Sequence, residues 1–367
     1  MKRPLWACLV AILLCLTAAA CSSRTVQPST PSGTPKRPTT TKKVSTPNAT
    51  PVVSTPQLGI DVLWYYDGSD TNATIVAKAE QTFNYVESLG GNAVAISFPF
   101  YMTGPKADAV IGESPTPTPD QLALVVQQAK HLNLRVTLRP LLDEATLHSG
   151  WRGSIEPENR AEWFASYKTF LQPYLTMAQA NGVNQFEVGS ELNSLSADAS
   201  WTDLVQWAKS LYDGVLGFSN NWDFFHDGKL GATNAVDAEG VDTYFPVDLP
   251  DNASVSQLVA AWNTWLNTVP TSVDLTKTTI TEVGIPAQSG AYHEPSDWGS
   301  YGAAIMPEIQ QNWFTAACIA MKEHNMQGIY FWRLDLSQPP GSFNPSTATQ
   351  TSFVGRGDTA IKTCFEG

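Results

Sequence analysis

From position 58 onward, short apolar runs alternate with longer segments in which apolar residues recur every third or fourth position. Runs of four to eight apolar residues read as strands, and the longer period reads as amphipathic helix. Strands are predicted at 58–64, 91–97, 134–139, 185–189, 241–246, 278–283 and 328–333. A weaker one is placed near Trp222-Asp223-Phe224-Phe225. Helices are predicted over 74–89, 118–132, 160–181, 201–215, 256–269 and 311–324, with Pro119 in a first turn and Gly182 closing the third of these. Eight nearly continuous apolar strands separated by helix-length segments imply a parallel sheet covered by helices. Over about 300 residues, the closed α/β architecture, a (β/α)8 TIM barrel, is the first expectation and a doubly wound open sheet the second.

In a parallel barrel all strands open their carboxyl ends on one face, so carboxylates distant in sequence can meet there. Glu191 follows the fourth predicted strand and Glu282 lies in the seventh. Two carboxyl groups about 5 to 5.5 Å apart are the equipment of a retaining glycosidase, one attacking the anomeric carbon and the other protonating the leaving oxygen. Glu187 is a rival acid, but its place within a strand directs it toward the outside of the barrel; Asp143 and Glu144 follow strand three. Arg139, read as directly following an apolar strand, needs a partner when buried and can stabilise the Glu282 charge. Tyr244 is either a hydrogen-bond donor to Glu282 or a packed core residue. Trp64, Trp151 and Trp332 stand at strand ends, where flat apolar rings can stack on sugar faces or simply pack.

Composition narrows the ligand. A formal charge of −12 disfavours nucleic acid, whereas 12 Trp, 11 Tyr and 15 Phe suit a neutral polymer. No spacing of His or Cys suggests a metal site, and no cofactor is called for.

The amino terminus has a separate character. Lys2 and Arg3 precede an apolar run from Leu5 to Leu16, then Ala18-Ala19-Ala20 and Cys21. The run is too short for a comfortable membrane span and reads as an export signal. Residues 1–21 resemble a bacterial lipoprotein signal, with Ala18 where Leu is usual; the resemblance implies that Cys21 is lipidated, and an ordinary cleaved signal is the alternative. Residues 22–57 are rich in Ser, Thr, Pro and Lys, have little to bury, and are assigned as an unfolded tether. Residues 58–367 form the folded domain. The protein is therefore expected at the cell surface, outside the cell, attached to the membrane only through lipid, and monomeric. Cys318 and Cys364 are the two cysteines of the folded domain; they can pair near the last helices or stay as buried thiols.

Taken together, Trp151-Arg152-Gly153, Val188-Gly189-Ser190-Glu191-Leu192, Asp242-Thr243-Tyr244-Phe245-Pro246, Ile280-Thr281-Glu282-Val283-Gly284 and Gly328-Ile329-Tyr330-Phe331-Trp332 resemble clan A glycoside hydrolases, and most nearly glycoside hydrolase family 113, a family of β-mannanases. The resemblance runs from about Gly59 to about Asp335. It implies Glu191 as acid/base, Glu282 as nucleophile and Trp332 as a sugar platform; Trp64 and Trp151, from their strand-end loops, and Arg152 are taken as further substrate contacts. Where the clan has an Asn before the acid/base to bind the sugar 2-hydroxyl, this chain has Ser190; Asn193 and Arg139 are alternative sources of that contact. The expected reaction is retaining hydrolysis of β-1,4-mannan. Another β-glycan as substrate, or non-catalytic oligosaccharide capture, are the alternatives.

Overall fold

The computed structural model describes residues 55–367 except 149, 233–234, 299–303 and 342–350. The export segment, Cys21 and nearly all of the tether lie outside the described residues.

Eight parallel strands close into a barrel in sequence order: β1 (Gln57–Leu63), β2 (Ala93–Phe100), β3 (Arg135–Leu142), β4 (Gln185–Ser190), β5 (Val215–Asn221), β6 (Ala238–Asp242), β7 (Thr278–Val283) and β8 (Gly328–Asp335). The main outer helices are α1 (Asn72–Ser88), α2 (Pro119–His131), α3 (Arg160–Ala180), α4 (Ser200–Lys209), α5 (Trp222–His226), α6 (Val255–Asn267), α7 (Pro307–Glu323) and α8 (Asp358–Glu366). The fold is the (β/α)8 TIM barrel. β1 starts at Gln57, paired with Gly328, so the folded chain begins one residue inside the segment read as tether.

The strands are not continuously apolar. They alternate, and the alternation divides two chemistries between the two faces of the sheet. Ile60, Val62, Val94, Ile96, Val136, Leu138, Phe186, Val188, Leu216 and Phe218 point outward into one buried cluster with the helices. Their neighbours Asp61, Ser97, Thr137, Arg139, Gln185, Glu187 and Ser219 are buried but polar; in the lumen Asp61 accepts from Ser97 and Arg139, Glu187 accepts from Gln185 and Ser219, and Thr137 meets the Tyr330 hydroxyl. Arg139 therefore lies within β3, not after it. Glu187 also faces inward: its carboxylate accepts from Gln185 Nε2 (2.9 Å) and Ser219 Oγ (2.8 Å). The expectation that it points outward fails because Phe186 and Val188 already fill the helix-facing side. At the amino-terminal end Tyr330 plugs the lumen over Ala93 and Ala95. Gly59 makes room for it, since a Cβ there would stand 2.5 Å from the Tyr330 ring.

The segment at Trp222 is not a strand but the short helix α5, and β5 precedes it. In β5 the apolar residues Leu216 and Phe218 alternate with Gly217, Ser219 and two asparagines, which lowers its apparent strand character.

α3 presents Trp163, Tyr167, Phe170 and Tyr174 at helical spacing, and the last three meet Phe98 and Phe100 of β2 with centroid separations near 5 Å. Tyr167 also donates to the Val188 carbonyl (3.0 Å), where the β4–β5 register shifts. Such irregularities bend a strand and re-aim its side chains. Cys318 of α7 and Cys364 of α8 form a disulfide across 46 positions, a closure worth about 4 kcal/mol on the chain-entropy account.

Candidate active site

Both glutamates stand where the barrel ladder is irregular. The β4–β5 register shifts between Glu187 and Ser190, and Glu191 follows with φ 54°, a left-handed backbone that a non-glycine residue adopts only under constraint. Its amide donates to the Ser219 carbonyl (2.9 Å). Glu282 lies between the register shifts of β6–β7 and β7–β8, and its carbonyl accepts from both the amide and the hydroxyl of Thr243, each at 2.8 Å. Backbone that departs from regular pairing in this way is concentrated near functional sites.

The Glu282 carboxylate is fixed at both oxygens. Oε1 accepts from Arg139 Nη1 (2.8 Å) and Oε2 from the Tyr244 hydroxyl (2.7 Å). Arg139 is fully buried and joins β3 to four other strands. Nη1 also reaches Asp61 Oδ2 (2.7 Å), while Nη2 reaches Ser190 Oγ (3.2 Å) and both oxygens of Asp242 (3.2 and 3.3 Å). One guanidinium thus meets three carboxyl groups in the buried lumen. Burial drives Asp61 up to about 7, against the pull of Arg139, and burial with the adjacent Glu282 charge drives Asp242 well above the carboxylate range. Burial and Glu282 also push the Tyr244 phenol well above its usual value, keeping it a hydrogen-bond donor.

Glu191 has a different environment. Burial pushes its carboxyl up to about 7, Arg152 opposes that shift, and the Glu282 charge reinforces it. A carboxylic acid of that strength carries its proton in weakly acidic water and can release it near neutrality.

The two glutamates line one open cleft of about 430 Å³ with Glu144, Trp151, Arg152, Asn221, Trp222, Tyr244, Ser296, Trp298, Trp332 and Arg333. Trp332, 9% exposed, packs with Leu63, Leu141 and Tyr244 at the cleft floor, and the Arg333 guanidinium stands 5.2 Å from its ring centroid. Trp151 is 37% exposed, its indole lying over Gly153, where a Cβ would come within 2.3 Å of the ring.

Several expected contacts are placed elsewhere. Trp64 is 1% exposed and packs in the core with its ring edge-on to Tyr66, so it does not line the cleft. Asn193 is buried and donates to Asp223 (3.3 Å). Ser190 and Arg139 are buried and are not among the residues that line the cleft; Ser190 accepts from Arg139, which in turn holds Glu282. Asp143 is taken up by the Tyr65 hydroxyl and the Ala145 amide. The reading from sequence missed Asn221, Trp222, Ser296, Trp298 and Arg333. Of these, Arg333 was signalled by its place directly after Trp332, and Asn221 by its place at a strand end once β5 is recognised.

A family model described as Glycoside Hydrolase Family 113 matches residues 65–349. Among solved structures, a family 113 β-1,4-mannanase in a complex superimposes with a TM-score of 0.71 at 18% identity, covering 85% of this chain and 99% of its own. The family 113 β-mannanase AaManA from Alicyclobacillus acidocaldarius, in complex with ManMIm, gives 0.67 at 22% identity, covering 85% and 97%. A family 5, subfamily 18 glycoside hydrolase from Streptomyces cattleya, bound to Manβ1-4GlcNAc, gives 0.54 at 12% identity, covering 85% and 80%. No curated protein matches the sequence.

Proposed function

The chain belongs to glycoside hydrolase family 113, and on that footing we propose that it is a retaining β-1,4-mannanase with Glu282 as nucleophile and Glu191 as acid/base. The observation that carries this reading is the unequal environment of two carboxyl groups in one cleft. Glu282 is aimed by Arg139 and Tyr244, whereas Glu191 is free of close hydrogen bonds from these groups and binds its proton up to about 7. In the first step Glu282 attacks the anomeric carbon as Glu191 protonates the departing oxygen. In the second, Glu191 takes a proton from water, which displaces Glu282 from the sugar. The net result is retention.

Mannan as the substrate is supported by the family and by the β-1,4-mannanases that share the fold. Trp332, Trp298 and Trp151 supply apolar surface for pyranose faces, and Asn221, at the end of β5, supplies the amide contact that Ser190 and Asn193 are not placed to make.

Reducing-end release from mannan, glucomannan, xylan and cellulose by residues 55–367 tests the substrate, and the anomeric form of the first product tests the stereochemistry. Mannan cleavage with retention is expected; cleavage of xylan or cellulose alone would move the substrate to another β-glycan. Because Glu191 must carry a proton for the first step, activity should hold below about pH 7 and fall up to tenfold per pH unit above it. An unchanged rate from pH 6 to pH 9 would remove Glu191 from the acid role.

We also propose export and attachment of the protein through lipid on Cys21, supported by the charged, apolar and small-residue order of residues 1–21. Labelled fatty acid should enter the native protein and not the Cys21→Ser variant; equal labelling of both would refute the anchor.

A further inference from the structure

The loop after β3 places two charged residues beside Glu191 that the two-glutamate mechanism does not itself use. Arg152 Nε stands 3.8 Å from Glu191 Oε2. The same Nε donates to Glu144 Oε1 (3.1 Å), and the Arg152 amide donates to that oxygen as well (3.2 Å). Arg152 is therefore held by its backbone and its head group to one carboxylate while its cation faces another. The Arg152 and Glu191 side chains are mostly buried, so the cation acts on Glu191 with limited solvent screening, whereas Glu144 is more exposed and its effect is the more screened. All three residues line the cleft.

Resting on Glu191 as acid/base, we propose that Arg152, held by Glu144, is a positioning residue that sets the stage at which Glu191 gives up its proton. The role follows from charge. Groups facing Glu191 include Glu282 from β7, Arg139 from β3, Asp242 and Tyr244 from the β6 end, and Arg152 with Glu144 from the loop after β3. In the free enzyme the Glu282 charge favours the protonated form of Glu191, as the first step requires. Once Glu282 is esterified to the sugar that charge is gone, and Arg152 remains to favour the carboxylate that must take a proton from water. Glu144 moderates the cation, so that Glu191 is not stripped of its proton before the first step.

The two members of the pair should then shift the pH profile in opposite directions. Removing the cation in Arg152→Gln raises the pH at which Glu191 deprotonates, and the basic limb of kcat/KM on manno-oligosaccharide should move up by about one pH unit. Removing the anion in Glu144→Gln, which keeps an amide oxygen for Arg152, should move the limb down by a smaller amount. Arg152→Lys should return the limb toward wild type. A rise in KM for Arg152→Gln with no movement of the limb would make Arg152 a substrate contact only and overturn the proposal, as would shifts of the same sign in both variants. If Glu191→Gln itself keeps near-native activity and an unmoved limb, it is the acid/base assignment that fails, and this inference fails with it. A collapsed Glu191→Gln beside unshifted pair variants overturns the positioning role alone.

Discussion

Replacing Glu282 with Ala should abolish turnover of every β-glycoside tested, by on the order of 10⁴-fold or more, because the attacking atom is gone while the rest of the cleft remains. Azide added to that variant can enter the vacated face and displace the leaving group once, giving a glycosyl azide of inverted configuration. Glu191→Ala should behave otherwise. Polysaccharide cleavage should fall by about 10² to 10⁴, the usual worth of a general acid. An aryl glycoside whose phenolate leaves without protonation should still form the glycosyl-enzyme. Azide should then speed its breakdown with retained configuration, since two displacements have occurred. Near-native polysaccharide cleavage by both variants, or inversion by the wild type, would refute the assigned roles.

The second large effect concerns the lumen. Arg139→Leu removes the cation that pairs with Asp61, Asp242 and Glu282. Breaking a buried ion pair from one side typically costs about 3 to 5 kcal/mol, because the charges left behind have no water. A drop in melting temperature of roughly 10 °C at pH 7 follows for a chain of this size. The loss should shrink as the pH falls. Without the cation the buried carboxyls bind protons more tightly in the folded than in the unfolded chain, so the folded state regains stability as the pH drops toward the unfolded carboxyl values. Adding Asp61→Asn to Arg139→Leu should recover part of the loss at pH 7, because a neutral amide replaces a carboxyl that must take up a proton to stay buried without the cation. A melting temperature within 2 °C of wild type for Arg139→Leu would mean that the lumen rearranges freely around the change.

Much of this arrangement was legible in the order of residues, for identifiable reasons. The outward apolar residues of β2, β3, β4 and β7 and the periodic faces of α1, α2 and α3 gave the barrel, and Glu191 and Glu282 stood at positions that a parallel barrel gathers at one mouth. What escaped was set by side-chain direction and by loops. Glu187 looked peripheral because local sequence does not reveal which strand face the helices claim, and Arg139 looked terminal because Pro140 obscured the continuation of β3 through Leu142. Trp298 joins the cleft from a loop where nothing in Ser296-Asp297-Trp298 marks it; its approach depends on Gly284, where a Cβ would stand 2.9 Å from the indole. Trp64 had the right position in sequence, directly after β1, but its ring turns into the main core cluster and not into the cleft.

The left-handed backbone at Glu191 carries an implication for engineering. A sequence chosen for folding alone would favour Gly or Asn there, since both accept φ 54° more readily than glutamate, and neither would hold a buried carboxyl group. Screens that reward heat resistance without also demanding turnover are thus drawn toward the very position that performs the chemistry, and a stabilised library of this barrel would accumulate inert members unless activity is selected in every round.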